Sequence, residues 1–311
     1  MKLQFDANLE YQEQAISSVV DLFKGQTQKQ SNFTVSLYNK MEGQGTFFTS
    51  TGIGNKLELD EEDILENLKE VQLRNGLKQS ASLERSKYDF DIEMETGTGK
   101  TYVYLRTVFE LNKAYGFTKF IIVVPSIAIK EGVKKTLDIT KEHFNMLYDN
   151  TPYDYFVYDS GKLSQVRDFA VADNIQIMVI NIDAFRKGFD CTNENGNLLP
   201  DVDEKELEKK ANIIHRVSDR QLSGYKPIEL ISQTNPIVII DEPQSVDTTP
   251  KSKQAIASLN PMCTLRYSAT HVDKHNCVYK LDAIDAFEMN LVKQIEVASF
   301  ATADYHNRAY M

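Results

Sequence analysis

Apolar positions along the chain follow two periods. Phe5, Leu9, Ile16, Val19, Val20 and Phe23 fall on one face of an amphipathic helix that Gly25 ends. From residue 88 the pattern becomes strand, turn, helix, repeated. Tyr88 to Met94 alternates as a strand does and runs into a Gly-rich turn, Glu95 to Gly99. A helix carrying Val103, Leu105, Val108, Phe109 and Leu111 follows and stops near Gly116. Phe120–Val124, Ile175–Ile182 and Ile237–Ile240 are mostly apolar runs, as parallel strands buried on both faces require, and Thr264–Tyr267 is a shorter strand-like run. Strands separated by helices predict an α/β fold with a mostly parallel sheet and right-handed crossovers. No internal repeat at a fixed period is present.

The stretch at 25–86 breaks this rhythm and reads as an insertion before the Gly-rich strand. Gly43, Gly45, Gly52 and Gly54 punctuate a predicted hairpin, and Asp60-Glu61-Glu62-Asp63 opens a solvated helix reaching about Lys78. Those carboxylates suit a helix N-terminus better than a metal. A turn-rich loop spans Cys191–Asp203, and a charged helix is expected from about Glu204 to Val217. With no linker in view, the expected layout is one domain over 1–300 and an exit segment over 301–311.

Composition narrows the functional classes. A chain of 311 residues with 41% hydrophobic and 26% charged residues buries a full core and is not a disordered segment. The net charge of −10 excludes a nucleic-acid binder that uses its whole surface, and leaves room for a local basic groove. The longest mostly apolar stretch, Phe120–Ile129, is about half of what a membrane span needs, and the N-terminus has no secretory h-region. Cys191, Cys263 and Cys277 form no Cys-x-x-Cys pair, which fits reduced thiols in a cytoplasmic protein.

The chemistry lies in three clusters. Glu95-Thr96-Gly97-Thr98-Gly99-Lys100-Thr101 joins a predicted strand to a predicted helix. Backbone N–H groups of Thr96, Gly97, Thr98 and Gly99 can point at phosphates there, because glycine lets the chain approach without a Cβ. Lys100 would reach the β- and γ-phosphates of ATP and the Thr101 hydroxyl would ligate Mg²⁺. The full P-loop pattern wants glycine where this chain has Met94. Next, Ile237-Val238-Ile239-Ile240-Asp241-Glu242-Pro243-Gln244 is a buried strand that delivers two carboxylates to the sheet's carboxyl edge. Asp241 would hold Mg²⁺ through water, and Glu242 would orient and deprotonate the attacking water. Third, Ser268-Ala269-Thr270 ends the following strand; with Gln244, Ser268 and Thr270 are candidates to relay nucleotide state.

Other nucleotide-binding classes fit less well. Leu222-Ser223-Gly224, Asp-Glu-Pro and His271 occur in the order of an ABC-type ATPase, but Tyr225 and Pro227 break the helix that its signature needs. The Asn-Lys-x-Asp base reader of GTPases is missing. A nucleotide-binding interaction module with little turnover stays open.

Tyr11-Gln12, Thr-Gly-Thr-Gly-Lys-Thr, Asp-Glu-Pro-Gln and Ser-Ala-Thr stand in the order used by superfamily 2 helicases. More narrowly, Met94 to Tyr104, Val124 to Val133, Asn181 to Phe185 and Leu265 to His271 resemble the restriction (Res) subunit of type III restriction enzymes. The resemblance implies a RecA-like P-loop domain that binds ATP and Mg²⁺ and drives a motor on double-stranded DNA. It also implies a methyltransferase (Mod) partner that reads the DNA sequence. By the same resemblance Gln12 would read adenine, Pro125 and Ser126 would touch the DNA backbone, and Lys130 would meet a phosphate. Such subunits continue into a second lobe and a nuclease domain. No second motif set follows Thr270, so a fragment of a longer protein is expected.

Overall fold

The structure, a computed structural model, describes residues 5–41, 44–83, 88–187 and 211–292. In chain order the strands are β1 (Gln30–Met41), β2 (Gln44–Asn55), β3 (Asp89–Met94), β4 (Lys119–Val124), β5 (Tyr153–Val157), β6 (Ile175–Asn181), β7 (Ile237–Asp241), β8 (Cys263–Ser268) and β9 (Asn276–Leu281). The helices are α1 (Glu10–Val20), α2 (Glu61–Arg74), α3 (Lys100–Tyr115), α4 (Ile127–Leu147), α5 (Ser164–Val171), α6 (Asp219–Leu222), α7 (Pro227–Gln233), α8 (Pro243–Val246), α9 (Pro250–Ser258) and α10 (Ala283–Glu288).

Among the described residues, β3 to β9 form one sheet in the order β5-β6-β4-β7-β8-β3-β9, and every neighbouring pair is parallel. The mostly apolar runs follow from this arrangement. In β4, Phe120, Ile122 and Val124 enter the core shared with α1, α2, α3 and α4, while Ile121 and Val123 enter the core under α5, α7 and α9. Strands β6 and β7 divide their side chains between the two faces in the same way.

The long hairpin β1–β2 pairs antiparallel and is stapled to the sheet by its last residue. Asn55 is buried; its Oδ1 accepts from Thr118 N at 2.9 Å and Lys119 N at 3.1 Å, and its Nδ2 donates to Lys119 O at 2.8 Å. One amide thus satisfies the backbone where β4 begins.

Several boundaries depart from the sequence reading. Helix α1 starts at Glu10, and residue 5 lies before it, with Phe5 stacked on Tyr102 at 5.8 Å. Asp60 caps α2 as its carboxylates suggested, accepting from Glu62 N and Asp63 N at 2.9 Å each. The helix ends at Arg74, short of Lys78, because Gly76 takes φ +65° and Asn75 is drawn to Val278 O at 2.6 Å. It is also not wholly solvated, since Ile64, Leu68 and Val71 are buried. The charged helix expected to reach Val217 is replaced over 211–217 by a single 3-10 turn at Ile213–His215. The rest of that helix, the Cys191–Asp203 loop and the 301–311 segment lie outside the described residues. Strands β5 and β9 had no apolar run to announce them, because both lie at sheet edges and carry mixed polar and apolar side chains. Leu222-Ser223-Gly224 opens no helix: it closes α6, with Ser223 at φ +53° and Gly224 at φ +93°, which removes the basis for the ABC-type reading.

At the start of β4, Lys119 is fully buried, with Nζ donating to Phe169 O at 2.7 Å and to the Ala172 carbonyl at the end of α5. Burial pulls its ammonium down to about 7, against a smaller opposing pull from Asp173. Above that value the folded chain has released a proton that the unfolded chain still holds, so stability rises with pH. We expect urea unfolding to show a gain of about 2 kcal/mol between about pH 7 and about pH 9 that Lys119→Met removes. An equal rise in the variant would exclude Lys119 as its source.

Candidate functional site

Strands β7, β8 and β3 are adjacent, and at their carboxyl ends they present Asp241, Ser268 and the Glu95–Gly99 loop. The three sequence clusters therefore meet at one edge. Met94, where the P-loop pattern wants glycine, is the last residue of β3 and is buried in the core. The turn begins after it, so a side chain at 94 costs the loop nothing. Gly97 and Gly99 take φ +87° and +91°, the left-handed region that favours glycine. A Cβ on Gly99 would also lie 2.7 Å from Gln12 Nε2.

Lys100 opens α3 and turns back across the loop, with Nζ 3.3 Å from Met94 O and 3.2 Å from Glu242 Oε1. Its side chain is only 10% exposed, which strengthens its field at the loop. Thr98 Oγ1 donates to Glu95 O at 2.7 Å, and Thr96 N donates to Glu95 Oε1 at 2.7 Å. Glu95, unassigned from the sequence, thus braces the turn.

The two carboxylates are pushed in opposite directions. Burial, then the charge of Glu242, raises Asp241 to about 6, against Lys100 and a hydrogen bond from Tyr104. Burial also pushes Glu242 upward, but hydrogen bonds from Gln244, Lys100 and Ser268 outweigh it, and the net shift is down. Gln244 Nε2 donates to Glu242 Oε2 at 2.7 Å. Ser268 Oγ lies 2.8 Å from Gln244 Oε1 and 3.3 Å from Glu242 Oε2, and accepts from Thr270 N at 3.2 Å. Gln244, Ser268 and Thr270, named together from the sequence, therefore form one cluster on the carboxylate, Thr270 through its backbone.

Tyr104 was missed. Its hydroxyl reaches Asp241 Oδ2 at 3.3 Å, beside one of the two residues expected from the sequence to hold the metal. The available signal was its position one helical turn after Thr101.

The residues fit a nucleotide and a divalent cation. Gln12 is buried over the loop, with Nε2 donating to Thr98 O at 3.1 Å, while its Oε1 has no hydrogen-bond partner. Such an orphaned acceptor suits the amine of a purine. A hydroxyl and a buried carboxylate are oxygen ligands suited to a hard cation, and the lysine beside the glycine turn is a counter-charge for phosphate. Among the described residues, no group of three or more His, Cys, Asp or Glu side chains is placed to hold a metal.

Pro125, Ser126 and Lys130 lie on the other half of the edge. The Ser126 hydroxyl accepts from Ile129 N at 3.3 Å and caps α4. Lys130 lines a cleft of about 640 Å³ that also contains Lys134, Tyr155, Tyr158 and Lys162. Lys134, one turn after Lys130 on α4, and Lys162 were not singled out from the sequence; Lys162 reaches the cleft only once β5 packs beside β6. Phe185 is core, fully buried. Among the described residues, no helix is long and apolar enough to cross a membrane.

Comparison with solved structures gives loose likenesses. The nuclease-deletion mutant of the type ISP restriction-modification enzyme LlaGI in complex with a DNA substrate mimic is 13% identical, covering 75% of this chain and 21% of that one at a TM-score of 0.41. The UvsW helicase from bacteriophage T4 is 15% identical at a TM-score of 0.33, covering 71% of this chain and 64% of that one. Sequence relatives are nearer. The EcoPI Res subunit from Escherichia phage P1 is 31% identical over 94% of this chain, and the EcoP15I Res subunit from Escherichia coli is 32% identical over 93%. The chain spans 28% of the length of each. The family described as "Type III restriction enzyme, res subunit" matches residues 7–273. With that match over most of its length and these relatives beside it, the chain belongs to the family of type III restriction enzyme Res subunits.

Proposed function

We propose that this chain is the ATP-binding and ATP-hydrolysing motor lobe of a type III Res subunit, coupling nucleotide turnover to movement or switching on double-stranded DNA. The observation that carries the reading is the Lys100–Glu242 pair, at 3.2 Å, between the glycine turn and the Asp-Glu strand end. Lys100 and the loop amides of Thr96, Gly97, Thr98 and Gly99 bind the phosphates, and Gln12 meets the adenine edge. Thr101 and Asp241 hold Mg²⁺, which when bound neutralises phosphate charge. Glu242 accepts the proton of the attacking water, and Gln244, Ser268 and Thr270 relay the state of the site. A Mod subunit, a second lobe and a nuclease domain complete the proposed assembly. ATP hydrolysis measured with and without duplex DNA and Mod tests this; a rate indifferent to both favours a nucleotide-binding interaction module.

The lysine-lined cleft is the proposed DNA contact, with Pro125 and Ser126 at its approach. Ser126 serves there chiefly by capping α4, which presents Lys130 and Lys134. We expect Lys130→Ala/Lys134→Ala/Lys162→Ala to weaken duplex binding about tenfold or more at low salt. The log–log salt slope should shrink by about one for each phosphate that the variant no longer neutralises. Unchanged affinity and slope in filter-binding titrations would place DNA elsewhere.

A further inference from the structure

In β3, Phe90, Ile92 and Met94 pack into the core, while Asp89 and Asp91 point to the opposite side. Alternation of this kind usually marks a solvated face. Here both carboxylates are buried, Asp91 to 2% exposure. Asp91 takes the loop that follows Thr270: its Oδ2 accepts from His275 N at 2.6 Å, and its Oδ1 lies 3.5 Å from His271 Nδ1. Asp89 takes Arg266 of β8, with Oδ1 2.9 Å from Nη1. The other edge of that guanidinium grips Asp247, with Nη2 at 2.6 Å and Nε at 3.2 Å from Oδ2.

Arg266 and Ser268 are two apart in β8, so they stand side by side on one face of the sheet. Ser268 holds Gln244 and Arg266 holds Asp247. Gln244 lies in the single turn α8, which begins directly after Glu242, and Asp247 closes it. Glu242 itself has φ +56°, a conformation that a glutamate keeps only when its surroundings over-determine it. Besides these two grips, Glu242 N donates to Tyr267 O at 3.0 Å. Burial alone does not explain the ionic cluster, since apolar side chains of similar volume usually serve stability as well or better. What a guanidinium adds is a fixed plane and direction. With both edges committed to carboxylates, Arg266 has no reach toward phosphate.

We infer that Arg266, clamped between Asp89 and Asp247, is a positioning residue for hydrolysis: it ties the segment bearing Glu242 and Gln244 to the P-loop strand and so holds Glu242 in its left-handed conformation. The inference rests on the proposed role of Glu242 as base.

The test is Asp89→Asn/Arg266→Met/Asp247→Leu, which removes all three charges at similar volume, assayed in the full chain by ATP hydrolysis with duplex DNA. The variant should melt near the parent temperature, keep KM for ATP within about threefold and lose about tenfold or more in kcat. A folded variant with parental kcat would overturn the inference. If the triple variant does not fold, Arg266→Lys decides: a cation without the planar fork should lower kcat at unchanged KM, and parental kcat would overturn the inference equally. Glu242→Gln run alongside separates the two layers. If that variant matches the parent rate, the assignment of Glu242 fails; if it is slow while the clamp variants are fast, only the clamp fails.

Discussion

Lys100→Ala is expected to abolish ATP binding. The Lys100 side chain is 10% exposed and stands over the turn, with Nζ already 3.3 Å from the Met94 carbonyl at the end of β3. Charge interactions in so shielded a position greatly exceed those in water, so the β- and γ-phosphates lose their main protein counter-charge. The loss is compounded by what stays behind. Glu242 is held low partly by Lys100, and Asp241 is raised partly by Glu242. Without the lysine, two neighbouring carboxylates face an incoming polyanion with nothing between. Titration with a fluorescent nucleotide reads this directly, and unchanged affinity would mean that the turn does not hold phosphate.

Glu242→Gln should retain nucleotide binding and slow hydrolysis by about 10²-fold or more, the scale of losing a positioned general base. The amide has the carboxylate's shape and can still accept from Gln244, whose Nε2 lies 2.7 Å from Oε2. Removing the charge frees Lys100 for phosphate and relieves Asp241 of the like charge that helps to raise it, which favours its ionised form. Single-turnover hydrolysis compared with binding separates the outcomes. An unchanged rate excludes Glu242 as base, and a loss of binding would make it a direct ligand of the cation.

How much was legible depended on whether a residue's role is set locally. β4, β6 and β7 were readable because each is buried on both faces, which leaves few polar positions in the run. β5 and β9 carry ordinary mixed patterns because a sheet edge asks less of its side chains. The glycine turn was readable because positive φ at Gly97 and Gly99 is a demand of the backbone itself. The strained Glu242 left no such trace, since its φ is imposed by Ser268, Arg266 and the Tyr267 carbonyl on another strand.

The sequence by itself determined the alternation of strands and helices, the glycine turn and the identity of the paired carboxylates, because periodicity and turn chemistry act over a few residues. Only the tertiary structure decided what those groups meet. Tyr104 joins Asp241 across 137 residues of chain. Asp89 and Asp91, which alternate as solvated positions do, become buried anchors because two loops fold over their side of β3. Lys162 joins Lys130 and Lys134 of α4 in one cleft because β5 packs beside β6. Strand order sets which distant charges share a low-dielectric space, and no short-range pattern encodes that order.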